Sequence, residues 1–193
     1  VFCVPDSNLG GSSVAEAVAR VLAPRGRDEE SIIHGDVKSE NLFARGHGED
    51  DDDAQVAFFD FQYVGLGLGA CDLAKLFTCS IPPSMLGDDA PPKGASRGAR
   101  APRGMTLPMG SGERSLLQQY HSDLVSSPNA PTYEWDTFVR HWETALVDWC
   151  RFQASWGFWG NTAWLSARVR HVLADEGWRA WLMKEDEAAR KGL

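Results

Sequence analysis

Two short polar cassettes, each reached through an apolar run, constrain this chain more than anything else in it. Residues 34–41 read HGDVKSEN after Ile32 and Ile33, and residues 58–62 read FFDFQ at the end of an apolar run. Residues 42–44 and 56–59 read as two short strands. An acid at the mouth of each brings the two polar groups to one end of a hairpin. Between the strands, Gly46, Gly48 and the acidic run 49–53 predict a long, solvated hairpin tip, not a cation site.

The rest of the chain reads as helix. Residues 13–23 place Val14, Val18, Val21 and Leu22 at helical spacing, and Pro24-Arg25-Gly26 stops the run. Residues 71–79 are helical, with Asp72 near the start. Residues 81–112 are rich in Pro, Gly and Ser and carry no hydrophobic period, which predicts a mobile loop or insertion. Helices follow over 113–124, 133–152, 162–174 and 178–190. No internal repeat is present. The expected class is α+β, mostly helical, with a small β-hairpin, in a single domain over residues 1–193.

The cassettes carry the residue types that phosphoryl transfer needs. Its transition state is loose, so the protein mainly positions groups and neutralises charge. One carboxylate must sit beside the acceptor hydroxyl, and Asp36 is placed for that. Mg²⁺ takes hard oxygen ligands, few of them from protein, and Asn41 and Asp60 supply two. Lys38 projects from the same loop as Asp36 and offers a point charge to the transferring phosphate.

The ordered set HGDxxxxN, then DFQ, then GACDLAKL at residues 69–76 resembles the catalytic core of the protein-kinase-like superfamily. HGD is the form seen in aminoglycoside phosphotransferases and choline kinases. The resemblance runs over about residues 14–126 and extends to Tyr120 and His121 in LLQQYHSDL. It implies Asp36 as catalytic base, Asn41 and Asp60 as Mg²⁺ ligands, ATP as phosphoryl donor, and Asp72 as a residue that stabilises the catalytic loop. The implied acceptor is a hydroxyl on a small molecule. Gly35 stands where protein kinases carry Arg, and Phe61-Gln62 stands where DFG would continue, so a protein kinase is the weaker reading. Lys38-Ser39-Glu40 departs from the His-Pro-Gly common in aminoglycoside phosphotransferases.

About 30 residues precede His34, and their readable part is a helix. The resemblance therefore implies the C-terminal lobe of the fold with the N-terminal lobe absent. A longer protein or a partner chain would supply the missing N-lobe. A catalytically inactive lone lobe, a pseudoenzyme or a binding protein is the alternative.

Other features receive plainer readings. The glycines of GLGLG at 65–69 lack the partners of a phosphate loop and read as a flexible segment. Trp135, Trp142 and Trp149 share one helix face at seven-residue spacing, as core or as a pocket wall for an organic cation. His34 reads as a scaffold residue of its loop. His47, His121, His141 and His171 have no ligand spacing. Cys3, Cys71, Cys79 and Cys150 form no zinc pattern and read as buried or half-buried free thiols. The net charge of -8 argues against nucleic acid and is consistent with a cationic substrate. No apolar run approaches the roughly 20 residues of a membrane span, and no signal peptide is evident. The expected location is cytoplasmic, with no membrane partner.

Overall fold

Ser13 opens the first helix with a reciprocal cap. Its hydroxyl accepts from the Glu16 N–H, and the Glu16 carboxylate accepts from the Ser13 N–H at 2.8 Å. The helix, α1 (Val14–Leu22), buries Val14, Ala17, Val18, Val21 and Leu22, one continuous stripe at helical spacing. The computed structural model describes residues 2–45, 55–87, 101–126, 128, 130 and 132–192.

After α1 come β1 (Glu30–Ile33), a turn of 3-10 helix (Ser39–Asn41), β2 (Leu42–Arg45), β3 (Gln55–Phe58), β4 (Gly65–Leu68) and α2 (Gly69–Cys79). Then follow α3 (Ser111–Val125), α4 (Trp135–Trp156), α5 (Thr162–Ala174) and α6 (Glu176–Lys191). The described residues thus hold six α-helices and two small antiparallel sheets, a mostly helical α+β structure as expected. No helix among them is long and apolar enough to cross a membrane.

The expected hairpin is β2–β3, with Leu42 opposite Phe58 and Arg45 opposite Gln55. Its acidic tip, residues 46–54, lies outside the described residues. The second sheet corrects the reading of the GLGLG segment as a flexible one. Residues 65–68 pair with β1, Ile33 opposite Gly65 and Glu30 opposite Leu68, and Gly69 begins α2. Alternating Leu and Gly is a strand pattern that sets Leu66 and Leu68 on one face, Leu66 exposed and Leu68 buried where α2 begins, and a Cβ on Gly67 would press on the Ile33 side chain.

The core is helical, not sheet-based. Phe77 of α2 packs on Trp142 of α4, ring centroids 4.8 Å apart, and Trp164 and Trp178 are buried beside them. Fully buried Arg168 of α5 pairs with Glu113 of α3 at 3.0 Å. Glu113 also accepts from Trp142 Nε1, and Arg168 donates to the Leu107 carbonyl. One ion pair thereby ties three helices and a loop. Of the stretch 81–112, residues 88–100 lie outside the described residues. Its flanks are fixed: Leu86, Ala101 and Leu107 are buried, and the Leu107 N–H donates to the Ala167 carbonyl.

Helix α6 closes on the start of the chain. Arg20 of α1 meets Asp186 at 2.6 Å, Arg190 reaches Asp186 and the Leu9 carbonyl, and Arg179 pairs with Asp6. The sheets, in contrast, present apolar side chains outward: Ile32, Phe43, Val56, Phe58 and Leu66 are all exposed.

Candidate functional site

Strand β1 delivers the chain into the 34–41 loop, and β4 returns beside it to start α2. That return is what puts Asp72, in the first turn of α2, under the loop. Asp72 accepts the His34 N–H at 2.7 Å and the Gly35 N–H at 2.8 Å, one on each carboxylate oxygen. The structural role expected for it is the one it has. Gly35 adopts φ +76, and a Cβ there would collide with the Tyr63 carbonyl. Only glycine permits both the turn and the close pass of the 61–64 segment.

His34 braces the loop from within. Its Nδ1 accepts the Asp36 N–H at 3.2 Å, so Nε2 carries the ring proton and donates to the Phe59 carbonyl at 2.8 Å. The Phe59 N–H in turn donates to the Asn41 carbonyl. Phe59 is therefore pinned to the loop at both its N–H and its carbonyl, which fixes the backbone leading into Asp60.

The Asp36 side chain is buried at the centre of these bonds. Asn41 Nδ2 donates to Asp36 Oδ2 at 2.8 Å and to the Asp36 carbonyl at 3.0 Å. Lys38 Nζ lies 3.0 Å from Oδ2, and Lys75 Nζ pairs with Oδ1. Three of the four expected site residues, Asp36, Lys38 and Asn41, therefore form one cluster. Lys38 rests on the carboxylate instead of standing free for a phosphate, a consequence of two opposite charges two residues apart on one loop.

The fourth, Asp60, lies beyond the end of β3 with an exposed carboxylate, and Gln62 Nε2 is 3.4 Å from its Oδ2. It is the one non-glycine among the described residues in the left-handed region, at φ 65. Aspartate tolerates that region better than most residues with a side chain. The donor set fits a hard divalent cation. Both Asn41 amide hydrogens are engaged by Asp36, which leaves the amide oxygen as the free end. Asp60 adds a carboxylate from the segment bonded to Asn41. Among the described residues, no group of three or more His, Cys, Asp or Glu side chains could hold a metal.

Lys75 is the residue that sequence reasoning passed over. It lies one turn after Asp72 on α2, so the face that holds the loop through Asp72 also carries Lys75 to Asp36. That spacing was the available signal. Its ammonium sits 5.2 Å from the centre of the Trp149 ring. Burial pushes the ammonium below the usual lysine range.

Asp36, Lys38, Lys75 and Asp72 open onto a cleft of about 760 Å³ whose far wall is Trp149, Phe152, Trp156 and Trp159. That is the size of a small-molecule site. The α4 tryptophans divide between the two readings of their stripe. Trp142 is core, and Trp149 packs on the core with one side while it lines the cleft with the other. Cys71 also lines the cleft, but burial pushes its thiol up to about 12, which removes it as a nucleophile. The cysteines are free, as expected, although Cys3 is exposed.

A family model described as the phosphotransferase enzyme family matches residues 9–106, just over half of the chain. The match spans α1, both cassettes and α2. No curated protein and no solved structure matches at a significant level.

Proposed function

The chain belongs to the phosphotransferase enzyme family, and from that premise we propose that it transfers the γ-phosphoryl group of ATP to a hydroxyl of a small molecule. The hydroxyl oxygen attacks phosphorus, the bond to the bridging oxygen breaks, and ADP leaves. The hydroxyl proton passes to Asp36. Lys75 and Lys38 flank this carboxylate and keep it ionised and oriented. Lys38, the more exposed of the two, swings from Asp36 to the transferring phosphate. Asn41 and Asp60 would hold Mg²⁺, which when bound neutralises charge on the phosphate oxygens.

The observation that carries the reading is the Asp36 carboxylate. It is buried at the floor of a small-molecule cleft, held by an amide and two ammonium groups, on a loop clamped by Asp72. The test is calorimetric titration with MgATP beside Asp60→Ala, together with transfer of labelled γ-phosphate to a panel of alcohols beside Asp36→Asn. Binding weakened in Asp60→Ala and transfer lost in Asp36→Asn support the proposal. Undiminished transfer in Asp36→Asn sinks it. Absence of nucleotide binding in every form favours the reading as an inactive lobe or binding protein.

The same proposal includes the architecture. The chain forms the C-terminal lobe of a two-lobed kinase-like fold, and a second lobe covers the outward faces of the sheets. The exposed side chains of Ile32, Val56, Phe58 and Leu66 support this, because so many large apolar side chains left open on two small sheets are what a covering partner would bury.

A further inference from the structure

The wall of the cleft opposite Asp36 is an ordered set of rings. Trp149, Phe152 and Trp156 follow one another at i, i+3 and i+7 along the last turns of α4, on one face. Trp149 and Phe152 stack with centroids 5.2 Å apart and planes 13° from parallel. Phe152 and Trp156 stack at 6.2 Å and 25°. Trp159 stands edge-on to both Trp149 and Phe152, at 87° and 80°. The result is a shelf with an upright at one edge. Trp156 is 78% exposed and Phe152 and Trp159 are each 37% exposed, so the shelf is open to a ligand.

Charge decides what kind of ligand. A cationic acceptor is best held by an acid, and the acids here are already engaged. Among the described residues lining the cleft, Asp36 is paired with Lys38, Lys75 and Asn41. Asp72 is spent on two backbone N–H groups, and Asp148 is paired with Arg151 at 2.8 Å. The Trp149 face carries the Lys75 ammonium. Two lysines in the cleft also repel a further cation. What remains open is the uncharged surface of Phe152, Trp156 and Trp159, within the same cleft as Asp36.

We propose that this shelf is the acceptor site, and that it takes an alcohol whose body is a flat, uncharged, apolar ring system lying against Phe152, Trp156 and Trp159 with its hydroxyl toward Asp36. The role of the hydroxyl rests on the phosphotransferase reading; the binding does not. Aromatic rings in offset or edge-on contact attract beyond simple burial, so the geometry rewards a planar body over a branched one.

The test separates the two. Without nucleotide, 2-naphthylmethanol is titrated calorimetrically into the full chain, with choline as the cationic alcohol. The expected result is binding at least tenfold tighter for the naphthyl alcohol. Trp156→Ala and Trp159→Ala should each weaken it about two- to tenfold, and Phe43→Ala, on the distant β2, should leave it unchanged. Trp156 is exposed enough to be removed without unfolding the chain, and circular dichroism checks the Trp159 variant. No binding of the naphthyl alcohol, affinity unchanged in either tryptophan variant, or choline binding as tightly overturns the proposal. Phosphate transfer from ATP is read separately. Naphthyl binding without transfer leaves the shelf and removes the kinase reading. Transfer to cationic alcohols without naphthyl binding does the reverse.

Discussion

Lys75 and Asp36 form an ion pair across the cleft floor, Nζ against Oδ1, while Lys38 and Asn41 hold the other oxygen. The carboxylate is fixed from two elements, its own loop and α2. Lys75→Met should free one side of it and lower the rate of MgATP-dependent transfer on the order of tenfold to a hundredfold, as expected for a misplaced base. Lys75→Arg should recover part of the loss, because it restores the charge. Steady-state rates of the three forms at equal folded concentration check this.

Asp60 combines a backbone role with a chemical one. Asp and Asn tolerate the left-handed region better than Ala, which pays about 1–2 kcal/mol there. Asp60→Asn should therefore keep the stability of the parent chain yet lose Mg²⁺-dependent nucleotide affinity. Asp60→Ala should lose both, and Asp60→Gly only the affinity. Urea unfolding and calorimetry, run on all three, separate the effects.

Glu113 and Arg168 are both without exposed side-chain surface. Burial pushes the Glu113 carboxyl up, and the Arg168 guanidinium and Trp142 N–H oppose it. Removing one partner strands the other. Arg168→Met should destabilise the chain by about 3–5 kcal/mol, and the double replacement Glu113→Leu with Arg168→Met should cost much less. Urea midpoints of the single and double variants decide.

The stripe of α1, the limits of α5 and the β2–β3 hairpin were all legible, because periodicity and turn residues determine them locally. The cluster of Asp36, Lys38 and Asn41 was legible too, since one eight-residue loop carries all three. The β1–β4 sheet was not. Ile32 and Ile33 have too short a run to declare a strand, and glycine at 65 and 67 hides the alternation of Leu66 and Leu68. Lys75 was missed because its meaning depends on where Asp72 docks, a tertiary fact. The ion pair of Lys38 with Asp36, two opposite charges two residues apart on one loop, was within reach of the sequence but was not read from it. The pairing of every cleft acid is likewise invisible to a count of net charge.

His141 gives the fold an acid-sensitive element. Its Nδ1 accepts from the Tyr133 hydroxyl at 2.6 Å. Burial, with Arg27 and Arg25 nearby, holds the imidazole down to about 4 from an ordinary value of 6.5. The folded-state value is depressed, so the stability it contributes is complete above pH 6.5 and is lost as the pH falls through about 4. The loss amounts to about 3 kcal/mol. His141→Gln, which still offers Tyr133 an acceptor, should flatten this part of the curve of urea midpoint against pH.

The bonds from Arg20 to Asp186, from Arg190 to the Leu9 carbonyl and from Arg179 to Asp6 have a consequence for the order of assembly. Arg20 and Asp186 are 166 residues apart in sequence. During synthesis the ribosome releases α1 long before α6, so the side of α1 that α6 covers stays open while everything between is made. Closure of so long a loop is slow. The half-finished chain keeps that side of α1 accessible to chaperones and proteases, and a stop codon before α6 would leave it in that state.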